Sequence, residues 1–128
     1  LKVRNGLEEK MENVNAACED VLPDILDRER KTSKKCVLVL DPPRQGVDEK
    51  LIEAIKSGLP DKIIYISCSP QTLARDVGLL TGSLKRNGEK LEKSSEGGLY
   101  ELDLIRPYDM FPQTKHIETL VCLNKKII

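Results

Sequence analysis

The chain has 128 residues, enough for one domain with its own core, and its 21 Lys and Arg cancel 21 Asp and Glu, so bulk charge does not advertise a nucleic-acid partner, which leaves only a local basic patch for that role. One Phe and no Trp argue against an aromatic stacking platform for single strands, and four cysteines without a CxxC pair, beside one histidine, argue against a zinc site. No signal peptide or membrane-length apolar run is present, so free thiols in a reducing cytoplasm are expected.

The opening, residues 1–13, is charged and starts without a methionine, as a fragment or excised domain does. Leu7, Met11 and Val14 share a helical face that Gly6 and Asn13 weaken. Residues 14–17 read as a short strand, and Cys18, Glu19 and Asp20 lead from it into a helical turn, VLPDIL. An acidic residue just after a strand either holds an adenine amino group or ribose hydroxyl, or caps a helix. Residues 28–35 are a polar, mostly basic connection, expected as a solvated loop.

The run CVLVL, residues 36–40, predicts a buried strand ending in Asp41, Pro42, Pro43 and Arg44, with Gly46 two residues on. Two successive prolines remove two backbone donors and push the chain out of the sheet, leaving its carbonyls for a ligand or water. Asp48 caps a helix with Leu51, Ile52 and Ile55 on its apolar face, and Gly58 closes it.

The stretch KIIYISCSPQT, residues 62–72, is the centre of the chain. Ile63, Ile64, Tyr65 and Ile66 form an unbroken apolar run, suited to a strand covered on both faces. Cys68 follows at once, then Ser69 as N-cap, Pro70 at the first helical position, and Leu73, Val77 and Leu80 at helical spacing. Cys68 thus sits where strand gives way to helix, the edge at which open α/β sheets place ligands and where helix N–H groups favour negative charge. The order strand, helix, strand, helix predicts adjacent parallel strands with right-handed crossovers, which brings Asp41 and Cys68 to one sheet edge.

Residues 85–98, rich in Lys, Glu, Ser and Gly, read as an exposed loop. Residues 100–108 and 117–123 then alternate as strands, an antiparallel pair ending the sheet, joined by DMFPQTKH. In the last strand Glu118 shares a face with Leu120 and Cys122, the partly desolvated setting of a general base; a surface carboxylate at a strand start fits the pattern equally.

Three blocks, DPPRQGVD at 41–48, ISCSPQTLARD at 66–76 and DMFPQTKHIET at 109–119, resemble the RNA uridine-5-methyltransferase family, whose members methylate tRNA or 23S ribosomal RNA. The stretch NVNAACEDVLP at 13–23 is similar to that family's third strand and acidic turn, more weakly. The resemblance implies the carboxyl-terminal part of a Rossmann-like class I methyltransferase domain: α/β, parallel strands and a final antiparallel hairpin, over residues 1–128. It implies Cys68 as nucleophile, Glu118 as base and Asp41 beside S-adenosyl-L-methionine, with Arg44, Gln113 and His116 as candidate contacts to RNA and no metal. Arg75 and Asp76 are read as structural, and Arg44 as a partner for phosphate or for an acidic neighbour. The wording DMFPQT resembles the bacterial 23S ribosomal RNA members more than the tRNA members.

The family's glycine-rich cofactor loop, its first strands and any amino-terminal RNA-binding domain with iron–sulfur cysteines have no counterpart here, so the fragment alone is expected to be inactive. Two alternatives remain. An RNA cytosine-5-methyltransferase usually carries a second cysteine where this chain has Arg44, and a catalytically silent RNA-binding module would not need Cys68, Glu118 and Asp41 together.

Overall fold

The computed structural model describes residues 4–127. Its elements in order are α1 (Cys18–Arg30), β1 (Val37–Leu40), α2 (Glu49–Gly58), β2 (Lys62–Ser67), α3 (Pro70–Thr81), β3 (Leu84–Asn87), β4 (Lys90–Lys93), β5 (Tyr100–Tyr108) and β6 (Glu118–Lys125). This is a mixed α/β arrangement. The main sheet has the order β1-β2-β6-β5. β1 and β2 pair parallel, with Leu40 opposite Tyr65, whereas β6 is antiparallel to both β2 and β5. β5 therefore runs in the same direction as β2, and the closing hairpin puts its second strand between them.

The core lies on one face of this sheet. Ile63 and Tyr65 of β2 and Val121 and Leu123 of β6 pack with Leu51, Ile52 and Ile55 of α2 and Leu73, Leu79 and Leu80 of α3. Complete burial of each such side chain is worth roughly 1.5–3 kcal/mol. The apolar run in β2 led to an expectation of cover on both faces; the structure covers one. Ile64 and Ile66 are half-buried, and Val37 and Val39, on their side of the sheet, are 53% and 60% exposed. Among the described residues that face is largely open, and β1 is the edge strand of the sheet.

Four further expectations change. Residues 11–17 form no helix or strand; Met11 and Val14 are exposed, so the apolar face has nothing to pack on. The expected helical turn is instead the 13-residue α1, which takes residues 28–30 from the expected loop and tolerates Pro23 on its exposed side. Gly58 is the last helical residue and does not close α2: that role falls to Leu59, at φ 50°, whose N–H donates to Ile55 O. A Cβ on Gly58 would stand 2.5 Å from Leu26 Cβ, so the glycine is there to let α1 approach. Residues 85–98 are mostly exposed but contain the β3–β4 hairpin, turned at Gly88 with φ 67° after Asn87.

Candidate active site

The carboxyl end of β2 delivers Cys68, half-buried and with a free thiol. Its neighbours fix it: Ser67 Oγ donates to Ser69 O at 2.9 Å, and Ser69 N donates back to Ser67 Oγ at 3.0 Å. Ser69 is the N-cap of α3 by its extended backbone, with no side-chain cap bond, and Pro70 opens the helix as expected.

Strand register brings two candidate groups to one end of the sheet. The β2–β6 ladder ends with Ser67 opposite Thr119; Cys68 is the next residue beyond it on one strand, and Glu118, the half-buried first residue of β6, is the next on the other. On its other side Glu118 pairs with Tyr108. Asp41 follows Leu40 directly, and since Leu40 lies opposite Tyr65, Asp41 reaches the same edge. It is exposed and borders a cavity of about 420 Å³ also lined by Cys18, Glu19, Pro42, Pro43 and Gln45. The acidic turn at α1 and the loop after β1 thus share one hollow. Asp48 is already engaged, accepting the Leu51 N–H at 2.8 Å as the cap of α2.

Within the chain Arg44 meets an imidazole and not an acidic neighbour: its Nη2 lies 3.0 Å from His116 Nδ1. A guanidinium only donates, so in this bond Nδ1 is the acceptor. This one bond links the loop after β1 to the segment leading into Glu118. The segment braces itself: Thr114 donates to Phe111 O from both N, at 3.2 Å, and Oγ1, at 2.7 Å. Gln113 sits at the turn with φ 65°, exposed, and makes no hydrogen bond to Cys68 or Glu118 among the described residues. Phe111, half exposed, meets His116 edge-on with ring centroids 6.5 Å apart. The chain's one phenylalanine therefore stands at the edge that carries Cys68.

Beneath the loop lies a buried polar cluster that sequence reading did not assemble. Asp76 Oδ2 accepts the Val47 N–H at 2.9 Å and the Tyr65 O–H at 2.6 Å, while Oδ1 faces Arg75 Nε and Nη2, both at 3.0 Å. Arg75 Nη2 also donates to Gln45 O at 2.8 Å, and Thr72 Oγ1 donates to Arg44 O at 2.8 Å. Burial pushes the Tyr65 phenol well above its usual range, and the Asp76 carboxylate adds to that. A partial signal was available: a tyrosine inside an apolar strand needs a partner for its hydroxyl, and the next helix carries an aspartate among its apolar positions. Among the described residues no group of three or more His, Cys, Asp or Glu is placed to hold a metal ion.

A family profile described as tRNA (Uracil-5-)-methyltransferase matches residues 22–126. An uncharacterised RNA methyltransferase of Enterococcus faecalis is 39% identical over 85% of this chain and 20% of its own length, and one of Listeria innocua is 47% identical over 70% of this chain and 17% of its own. Among solved structures, the tRNA (uracil-54, C5)-methyltransferase of Pyrococcus abyssi, in complex with S-adenosyl-L-homocysteine, superposes with a TM-score of 0.53 at 32% identity, covering 74% of this chain and 20% of that one. The chain spans about one fifth of the length of these relatives. With the profile covering most of its length, the chain belongs to the tRNA (uracil-5-)-methyltransferase family.

Proposed function

We propose that this chain carries the nucleophile and the base for methylation of uridine carbon 5 in RNA, with S-adenosyl-L-methionine as methyl donor, and that its sheet is the carboxyl-terminal part of a Rossmann-like methyltransferase domain. The observation that supports this most is that Cys68 and Glu118 each stand one residue beyond the Ser67–Thr119 pair that ends the β2–β6 ladder, with Asp41 at the same edge. Membership of the family supports the uracil-5 chemistry. The Pyrococcus abyssi structure, bound to the demethylated cofactor, supports the donor.

Carbon 5 of uracil is a weak nucleophile. The Cys68 thiolate adds to carbon 6, forming the S–C6 bond and moving the electron pair of the C5–C6 double bond into an enolate. The cofactor supplies an electrophilic methyl group for carbon 5. Glu118 then takes the carbon-5 proton, the double bond re-forms, and Cys68 leaves as thiolate. The uracil must be unpaired to reach both groups. Arg44 and His116, already bonded to each other, and Gln113 at the adjacent turn are the proposed contacts to the RNA, with Phe111 as apolar surface for an unstacked base. For the cofactor, the hollow between Asp41 and Glu19 offers two carboxylates to accept from hydroxyl or amino groups, and apolar walls at Leu40, Pro42 and Pro43. That donor set fits a nucleoside carrying a cationic sulfonium. We favour 23S ribosomal RNA over tRNA on the wording DMFPQT at residues 109–114.

The test uses the chain in its native polypeptide, incubated with 5-fluorouridine RNA and S-adenosyl-L-methionine and read by denaturing mass spectrometry. Fluorine cannot leave as a proton, so a methylated adduct accumulates on Cys68, and Cys68→Ala abolishes it. With ordinary uridine, Glu118→Gln accumulates an adduct that wild type turns over. Equal trapping by wild type and Cys68→Ala would sink the assignment.

A further inference from the structure

The buried cluster under the loop does more than the core requires. An α-helix needs no arginine and aspartate on its inner side, and a carboxylate 0% exposed carries a desolvation cost that only complete pairing offsets. Apart from the Arg75–Asp76 pair itself, within α3, the partners come from Tyr65 on β2 and from the loop that begins at Asp41. Asp76 takes the Val47 N–H, and Arg75 takes the Gln45 carbonyl. Tyr65, three residues ahead of the nucleophile, donates to the same carboxylate oxygen as Val47. The loop is shaped to receive them. Gly46 has φ 79°, and a Cβ there would stand 2.6 Å from both Arg75 Nη2 and Asp76 Oδ2. The loop therefore docks on the ion pair by its backbone alone.

We infer that Arg75 and Asp76, with Tyr65, form a positioning device that sets the loop carrying Asp41 at a fixed height relative to Cys68. The part that concerns cofactor affinity rests on the function proposed above. In this arrangement the bonds are to backbone atoms of the loop, so its register is held whatever its side chains bind. Neither Arg75 nor Asp76 touches the cavity beside Asp41; both act through the loop.

Arg75→Lys separates positioning from simple support. Lysine keeps a cation for Asp76, so α3 and its ion pair persist, but one ammonium cannot also span to Gln45 O in the planar fork geometry of the guanidinium. Tyr65→Phe is the second variant, removing one donor without changing ring packing. The first readout is peptide-resolved hydrogen exchange on the chain itself. Positioning predicts exchange about tenfold faster in residues 41–47, as one charge-assisted bond is worth, with little change in residues 77–81. A merely structural role speeds both segments together, which overturns the inference. The second readout is the dissociation constant of S-adenosyl-L-homocysteine for the native polypeptide, expected to rise about tenfold in Arg75→Lys while the rate of Cys68 alkylation by iodoacetamide stays within about twofold. Unchanged affinity in both variants also overturns it. Should wild type not bind the cofactor, the proposed function fails, and the exchange pattern alone still decides the positioning.

Discussion

At the start of β2 a carboxylate, Asp61, accepts the Cys36 N–H at 2.8 Å and pairs with Lys125 at 3.2 Å; just past its end another, Asp76, accepts the Val47 N–H at 2.9 Å and pairs with Arg75. Both hold a neighbouring loop by its backbone. The Asp61 side chain is 36% exposed and that of Asp76 is 0% exposed. A buried tyrosine stands at each end as well: Tyr100 donates to Pro60 O, a neutral carbonyl, while Tyr65 donates to the Asp76 carboxylate. Burial raises both phenols. The same device therefore serves two purposes. Where water reaches it, it fastens strand ends and can be lost piecemeal. Where water is excluded, every member must be satisfied together, and the cluster becomes rigid beneath the loop that begins at Asp41.

Removing the carboxylates one at a time measures that contrast. Asp76→Ala leaves the Val47 N–H and the Tyr65 hydroxyl unpaired in the interior and takes the counter-charge from the partly exposed Arg75, and is expected to cost about 3–5 kcal/mol. Asp61→Ala leaves groups that water can reach, and is expected to cost about 1 kcal/mol. Urea midpoints at equal m-value read both, and equal losses would break the contrast. A smaller effect sharpens it. Gly46→Ala and Gly88→Ala both force alanine to positive φ, at 79° and 67°, but only Gly46 would collide with neighbours. Left-handed strain alone costs about 1–2 kcal/mol, so Gly88→Ala should fall there and Gly46→Ala beyond it, seen as the larger drop in melting temperature.

Much of this edge was legible in the chain. Pro42 and Pro43 mark where β1 must leave the sheet, and Pro70 marks where α3 begins, so Asp41 and Cys68 were placed by backbone chemistry alone. The alternation in β6 placed Glu118 on the face of Leu120 and Cys122, and the register puts it at the end of the ladder that Cys68 follows. What stayed hidden depends on partners distant in sequence. An apolar strand states that it is covered but not by what, and so the bare side of Ile64 and Ile66 was unforeseen. The β3–β4 hairpin is too charged to show a hydrophobic period; only Asn87-Gly88 marked it. The Asp76 cluster draws on the loop, β2 and α3, and the Arg44–His116 bond spans 72 positions. No periodicity reaches that far.

The exposed end of β2 should reveal itself by pH. Asp61 is held below the usual carboxylate range, first by the backbone N–H of Cys36 and then by Lys125. A folded-state pKa lower than the unfolded one means the unfolded chain binds more protons in between, so stability rises with pH there. The contribution is complete above the unfolded value, about pH 4, and fades as pH falls through the folded one. Wild type should therefore exceed Asp61→Asn in melting temperature at pH 7, with the gap narrowing steadily below about pH 4. Lys125→Met removes the exposed ion pair and spares the bond to Cys36. Because that backbone bond is the largest single cause, Lys125→Met should narrow the gap without closing it. If instead Lys125→Met erases the gap, the fastening at this end is the ion pair, and the likeness between Asp61 and Asp76 as captors of a backbone amide is only geometric.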